Sequence, residues 1–276
     1  MKPATVATVM AQARKSGLDR LDAQLLLADV LACSRTWVLA HDDAELDPGA
    51  ADRFAALAKR RASGEPTAYL LGKKEFFGLM LQVSPKVLVP RPDTEVLVEW
   101  ALELLRTELA SCPTPSVLDL GTGSGAIALA VKSGCSRASV TATDVSPDAL
   151  SVARANAQRL GLQVLLGVGS WWQHLEEHRF HLVLSNPPYI PQGDPHLQAL
   201  THEPTLALTA GDDGLSALNE IAGGARAHLE PRGWLLLEHG PGQASAVRGR
   251  MRDLGFADVQ TRRDLAGRAR CTGAHL

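Results

Sequence analysis

Aromatic residues are scarce in this chain of 276 residues, where Phe, Trp and Tyr together make up 4%. Ala and Leu must fill the core instead. Hydrophobic residues still reach 45%, enough for a globular protein with one large domain and a smaller one. An excess of one charge is also missing: Lys and Arg number 28 against 30 Asp and Glu, a net charge of −2. Nothing in that balance advertises nucleic acid. The four cysteines, Cys33, Cys112, Cys135 and Cys271, are widely spaced and form no CxxC pair. That spacing argues against a zinc site or a disulfide framework and for a reducing cytoplasm. No apolar run reaches the length of a membrane span. The first apolar residues are interrupted by Gln12, Arg14 and Lys15, which is not a signal-peptide pattern. Internal repeats and low-complexity tracts are absent as well.

Residues 1–64 read as a small helical domain. Leu21, Leu25, Leu26, Val30 and Leu31 share one helical face, and Asp22 favours a helix start. A second segment covers 34–41 and a third 50–62, where Lys59, Arg60 and Arg61 complement the C-terminal dipole before Gly64 stops the helix. His41-Asp42-Asp43 reads as a solvated loop before Pro48, and no metal is expected. Residues 65–95 change character. Apolar runs at 75–83 and 86–89 predict a hairpin turning at Ser84-Pro85. Pro90-Arg91-Pro92-Asp93-Thr94-Glu95 then forms a stiff link, with Asp93 or Thr94 capping a helix over 95–109.

From residue 96 to 276 strand and helix signals alternate. Strands are expected at 117–120, 138–144, 164–166, 180–185 and 233–238, with helices at 126–132, 147–160 and 215–229. Alternation of this kind predicts an α/β domain with a mainly parallel sheet covered by helices. The arginines 248, 250, 252, 262, 263, 268 and 270 read mostly as a solvated helix face.

Three features of this region carry chemistry. Gly121-Thr122-Gly123-Ser124-Gly125 follows the first strand, and its glycines let backbone N–H groups approach a ligand closely. There is no P-loop lysine, which disfavours ATP hydrolysis. Asp144 ends the second strand roughly 20 positions on, where a carboxylate can accept both hydroxyls of a ribose. Asp119 places another carboxylate beside the same loop, either for a ligand ammonium or to cap loop N–H groups. Trp171 or Trp172 offers a face to an adenine. The third feature is Ser185-Asn186-Pro187-Pro188-Tyr189. Two prolines end any sheet ladder, and the first pushes Asn186 towards an extended conformation. The Asn186 carbonyl, the free proline carbonyls and the Tyr189 ring together suit a planar nitrogen, an amide or an exocyclic amine.

A glycine loop, a ribose-binding carboxylate and an Asn-Pro-Pro-Tyr tip in this order resemble the class I S-adenosylmethionine-dependent methyltransferases, with their Rossmann-like sheet. Further segments narrow the resemblance: Gly64-Glu65-Pro66, Ala68-Tyr69-Leu70, Glu75-Phe76-Phe77-Gly78, the Pro-Arg-Pro-Asp-Thr-Glu link, Glu203-Pro204, and Leu237-Glu238-His239-Gly240. From about residue 20 to about 270 the chain resembles the release factor glutamine methyltransferase family, also called the HemK or PrmC family. That resemblance implies a helical domain at 1–64 that docks substrate, a hairpin linker at 65–95 and a methyltransferase domain at 96–276. It implies methylation of the glutamine side-chain amide in the Gly-Gly-Gln motif of peptide chain release factors, which bears on translation termination. Asp119, Gly121, Thr122, Gly123, Ser124, Gly125, Asp144, Trp171 and Asn186 would hold S-adenosylmethionine. Asn186, Pro187, Pro188 and Tyr189 would bind the glutamine amide, with Asn186, Pro187 and Tyr189 acting in catalysis. Ser170 departs from the family, where many members carry Asp before that tryptophan, and Ala269 replaces a usual acidic residue. The expected state is a cytoplasmic monomer without membrane or nucleic-acid partners. The competing reading is adenine N6-methylation of DNA or RNA, which would use the same tip on a flipped base.

Overall fold

The computed structural model describes residues 4–276 and divides the chain into two compact units, 1–73 and 74–276. The first unit is helical: α1 (Val6–Lys15), α2 (Arg20–Val30), α3 (Arg35–Ala40), α4 (Pro48–Ala62) and α5 (Thr67–Leu71). The first four start where short polar side chains take up free N–H groups. Thr5 and Thr8 cap each other across α1, and Asp19, Ser34 and Asp47 accept first-turn N–H groups of α2, α3 and α4. Val9, Leu26, Leu27, Val38 and Phe54 form its core. Asp22 does more than favour a helix start. Its two oxygens take Arg61 Nε at 2.7 Å and Thr67 Oγ1 at 2.6 Å, tying α2 to α4 and α5. Helix α5 falls in the segment read from sequence as a link.

A hairpin follows, β1 (Lys73–Phe76) and β2 (Leu79–Gln82), and all of it but Lys73 belongs to the second unit. The turn is at Phe77-Gly78, not at Ser84-Pro85. A two-residue hairpin loop of this hand needs positive φ at both central residues, and Phe77 and Gly78 have φ of 49° and 75°. Proline, locked at negative φ, cannot serve there. Residues 86–89 pair with no strand, because the Val89 N–H is taken by Glu203 Oε2 at 3.0 Å. Nor does Thr94 cap α6 (Glu95–Arg106): it makes no capping bond.

The rest is a sheet of seven strands: β3 (Ser116–Leu120), β4 (Ser139–Asp144), β5 (Leu165–Val168), β6 (Phe180–Ser185), β7 (Leu229–Glu238), β8 (Ala257–Arg263) and β9 (Ala269–His275). Their order is β5-β4-β3-β6-β7-β9-β8, parallel from β5 to β7, with β9 antiparallel to both its neighbours. One layer of helices is α6, α7 (Ala126–Gly134) and α8 (Pro147–Leu160); α9 (Ser216–His228) and α10 (Ala244–Asp253) belong to the other core. Two hydrophobic clusters result, one around Trp100, Leu105, Leu129 and Leu184, the other around Leu120, Val183, Ile221 and Met251. Of the C-terminal arginines only 248, 250 and 252 lie on a helix. Arg262 and Arg263 are on β8. Arg270 on β9 is buried and pairs with Asp93 at 2.7 Å and Asp264 at 3.1 Å, so it is not part of a solvated helix face.

Candidate active site

Register brings the sequence-predicted residues together. The strand order reverses between β3 and β6, the point at which open α/β sheets bind ligands outside the carboxyl ends of their strands. Leu120 pairs with Ser185, and Ser185 Oγ donates to the Leu120 carbonyl at 2.7 Å. The glycine loop after Leu120 and the Asn186 tip after Ser185 are therefore neighbours. On the other side Leu120 pairs with Thr143 and Asp144 with Val168. That sets Asp144 beside Gly121 and brings the turn after β5, with Trp171, to the same end.

These elements enclose a cavity of about 360 Å³, within the range of small-molecule sites. Gly121, Gly123, Asp144, Ser170, Trp171, Asn186 and Pro188 line it, with Leu206, Ala207 and the 86–88 segment opposite. Gly121, Gly123 and Gly125 have φ of 71°, 56° and 85°, so the loop needs glycine there. A Cβ on Gly121 would meet the Trp171 ring at 3.5 Å. The Asp144 carboxylate accepts from Gly123 N at 2.8 Å and Ser146 N at 2.9 Å, one on each oxygen. One lone pair per oxygen is left for two adjacent hydroxyls. Burial raises the pKa of Asp144 while those N–H groups pull it down.

Asp119, Thr122, Ser124 and Gly125 lie beneath this surface, outside the cavity wall. Asp119 is fully buried, and its Oδ2 accepts from Thr122 Oγ1 at 2.6 Å and from Ala128 N at 3.1 Å. Burial pushes its pKa up to about 7 against those two hydrogen bonds. Oδ1 has no partner among the described residues. Of its two sequence readings, holding the loop is the one this geometry fills.

At the tip, the carbonyls of Pro187 and Pro188 receive no hydrogen bond from the described residues. Tyr189 turns inward, its carbonyl accepting from Gln243 Nε2 at 3.0 Å. Burial raises its pKa. Asn186 Nδ2 donates to Thr94 Oγ1 at 3.1 Å. Glu238, at the end of β7, is buried, and that burial lifts its pKa to about 7 while the hydroxyls of Thr94 and Tyr189 and the charge of Arg270 oppose the rise.

Sequence reasoning missed three supports. Glu203 binds both Arg91 and Val89 N, fixing the 203–208 wall to the 87–91 segment. Asn156 on α8 accepts from Gln82 N at 2.7 Å and donates to Gln82 O at 3.0 Å and Ser124 O at 2.9 Å, joining β2 to the glycine loop. Trp172 stacks on His228 at 4.7 Å, which leaves Trp171 as the cavity tryptophan. No group of His, Cys, Asp and Glu among the described residues could hold a metal, and no described helix is long and apolar enough to cross a membrane.

Known proteins are similar in sequence to this chain over nearly all of its length. The release factor glutamine methyltransferase of Bordetella pertussis is 51% identical over 263 residues, covering 94% of this chain and 96% of its own. The chain belongs to the release factor glutamine methyltransferase family. Its Burkholderia pseudomallei member is 47% identical over 283 residues, 99% of this chain and 97% of the relative. A family model described as the PrmC N-terminal domain matches residues 6–72, and one described as the methyltransferase small domain matches 97–204. A methyltransferase structure from Pyrococcus furiosus superposes with a TM-score of 0.56 at 22% identity, covering 79% of this chain and 98% of that one, and speaks for the fold alone.

Proposed function

We propose that the chain binds S-adenosylmethionine in the 360 Å³ cavity and methylates the side-chain amide nitrogen of the Gly-Gly-Gln glutamine in peptide chain release factors. Membership of the family supports the substrate. The observation that carries the site is the Leu120–Ser185 register, which sets a glycine cradle and a diol-binding carboxylate beside an amide-binding tip. The residues suit the cofactor. Asp144 offers two acceptors to a ribose, Trp171 a flat face to an adenine, and Gly121 and Gly123 close backbone approach. Ser170, on the same wall, has no carboxylate for the adenine amino group. When bound, the cofactor supplies an electrophilic methyl on a sulfonium.

The protein's own part is positioning and electrostatics. An amide nitrogen is a poor nucleophile because its lone pair is delocalised into the carbonyl. Asn186 Oδ1 and the Pro187 carbonyl would accept the two amide N–H groups, fix the nitrogen in one plane and favour the positive charge that develops on it. No general base is needed at the tip if the proton leaves after transfer. All these residues belong to the 74–276 unit, so each chain carries its own site and can act as a monomer. The helical unit is proposed to dock the protein substrate away from the reacting group.

Mass spectrometry of a release factor incubated with the protein and S-adenosylmethionine tests this reading. One added methyl on the Gly-Gly-Gln glutamine is expected. Asn186→Ala should lower turnover about 100-fold, a far larger loss than its effect on cofactor affinity. No added methyl with cofactor binding intact would redirect the function to adenine in nucleic acid.

A further inference from the structure

Three stretches of backbone outside the glycine loop give wall to the cavity. Residues 87–94 do so through Leu88, the tip through Asn186 and Pro188, and residues 203–210 through Pro204, Leu206 and Ala207. Hydrogen bonds join the three end to end into a ring. The tip meets the first stretch where Asn186 Nδ2 donates to Thr94 Oγ1 at 3.1 Å. Just past the tip, Ile190 is laddered to the third stretch. Its N–H donates to Leu208 O at 2.9 Å, and its carbonyl accepts from Ala210 N at 3.1 Å. Glu203 then returns the third stretch to the first. Its Oε2 accepts from Val89 N at 3.0 Å and its Oε1 from Arg91 Nη2.

The arcs between these joints are stiff. Pro90 and Pro92 fix φ in the first and Pro187-Pro188 in the second. The third turns tightly, with Ala207 N donating to Pro204 O at 2.9 Å and Leu208 N to Thr205 O at 3.0 Å. The shape of the ring is therefore decided at its joints. The Ile190 joint is backbone and survives a change of side chain. The Glu203 joint hangs on one carboxylate, with 2% of that side chain exposed. Both of its oxygens face groups that can only donate, a backbone N–H and a guanidinium. A glutamine there would aim its NH₂ at one of them, donor against donor in a place closed to water.

We infer that Glu203 is a positioning residue for methyl transfer, closing the ring that holds the amide-binding tip against the rest of the cavity wall. The inference rests on the proposed amide methylation and names what steadies its tip from outside. Locking 203–210 onto 89–91 fixes Ile190, and Ile190 fixes the downstream end of the tip. Transfer needs the amide nitrogen in line with the methyl group, and a displacement of about 1 Å costs about 100-fold. Gly121, Gly123, Asp144 and Trp171, which suit the cofactor, lie on other elements. Opening the ring should therefore cost turnover more than cofactor affinity.

The test compares Glu203→Gln, Arg91→Lys, Arg91→Met and the Glu203→Gln/Arg91→Met double variant. Steady-state methylation of a release factor is measured alongside calorimetric binding of S-adenosylmethionine, which also reports the folded fraction. Glu203→Gln should lower kcat about 100-fold, while cofactor affinity stays within about threefold of wild type. Arg91→Met should lower kcat about tenfold. Arg91→Lys, whose ammonium still donates to Oε1, should keep most of the turnover. The double variant should be no worse than Glu203→Gln, because residues acting as one unit lose their effect once. A residue that only stabilises the fold would lower the unfolding temperature and leave the kcat of the folded fraction at the wild-type value, and that result would overturn the inference. Equal losses in Arg91→Lys and Arg91→Met, or a fall in cofactor affinity as large as the fall in kcat, would overturn it too. Should Glu203→Gln fail to fold, the two variants at half-exposed Arg91 decide alone. Wild-type protein that binds the cofactor but adds no methyl would overturn the proposed function itself, and the positioning role with it.

Discussion

Two carboxylates in this site are buried without a full set of partners, and both are expected to titrate near neutrality. Burial holds Asp119 and Glu238 at about 7, above the ordinary carboxylate range. The folded chain therefore binds those protons more tightly than the unfolded one. The stability this brings is complete below the unfolded value, about 4, and is lost as pH rises through about 7. Thermal unfolding of wild type and Asp119→Asn from pH 5 to 8 checks it. The variant should gain on wild type as pH rises, by on the order of 2 kcal/mol across that window. A constant difference would mean that Asp119 keeps an ordinary pKa. Residue types at the site were mostly legible in the sequence: Gly121, Gly123, Asp144, Trp171 and Asn186 do line one cavity. What sequence could not give was direction. A carboxylate at the end of a strand reads the same whether it points into a ligand site or, like Asp119, under the loop. Thr94 read as a helix cap because nothing in its neighbours reveals that its hydroxyl meets the Asn186 side chain.

Among the elements, the glycine loop is held from below as well as from its own strand. Asn156 joins it to β2 through a buried side chain with three hydrogen bonds. Asn156→Ala would leave Ser124 O and both Gln82 groups without partners. Each unsatisfied group costs about 1–3 kcal/mol, so a net loss of about 3 kcal/mol is expected after solvent reaches some of them. Denaturant unfolding gives the loss, and calorimetry should show weaker S-adenosylmethionine binding from the loosened loop. Unchanged cofactor affinity would show that the loop holds its shape without α8. Gly123→Ala isolates another effect. At φ of 56° a Cβ is strained by about 1–2 kcal/mol though no described atom lies within 4 Å of it. Periodicity disclosed the parallel part of the sheet, since βα alternation leaves few other packings. It misplaced the hairpin because Ser84-Pro85 is a stronger turn signal than Phe77-Gly78, where phenylalanine takes an unfavourable φ. The β8–β9 pair went unseen. Polar and small residues such as Gln260, Arg262, Thr272 and Gly273 dilute its strand pattern.

At the scale of the whole molecule, each unit has a hydrophobic core of its own, and the site residues all fall within 74–276. Cofactor binding and substrate docking are thus expected to separate. Residues 74–276 alone should bind S-adenosylmethionine like the whole chain. Their KM for an intact release factor should rise about tenfold, a loss of about 1.4 kcal/mol of docking, with little change for a short Gly-Gly-Gln peptide. An equal KM for the intact factor would remove the docking role from the helical unit. The sheet order also bears on how the chain is made. β9 lies between β7 and β8, although both are translated before it. Until residues 269–275 are made, β8 has no strand to pair with and β7 presents an open edge. The sheet is complete only when residues 269–275 are available to pair with both β7 and β8. Nascent chains halted before that point should expose the β7 edge to chaperones and proteases, whereas chains held on the ribosome by a C-terminal linker long enough to free residue 275 from the exit tunnel should withstand digestion.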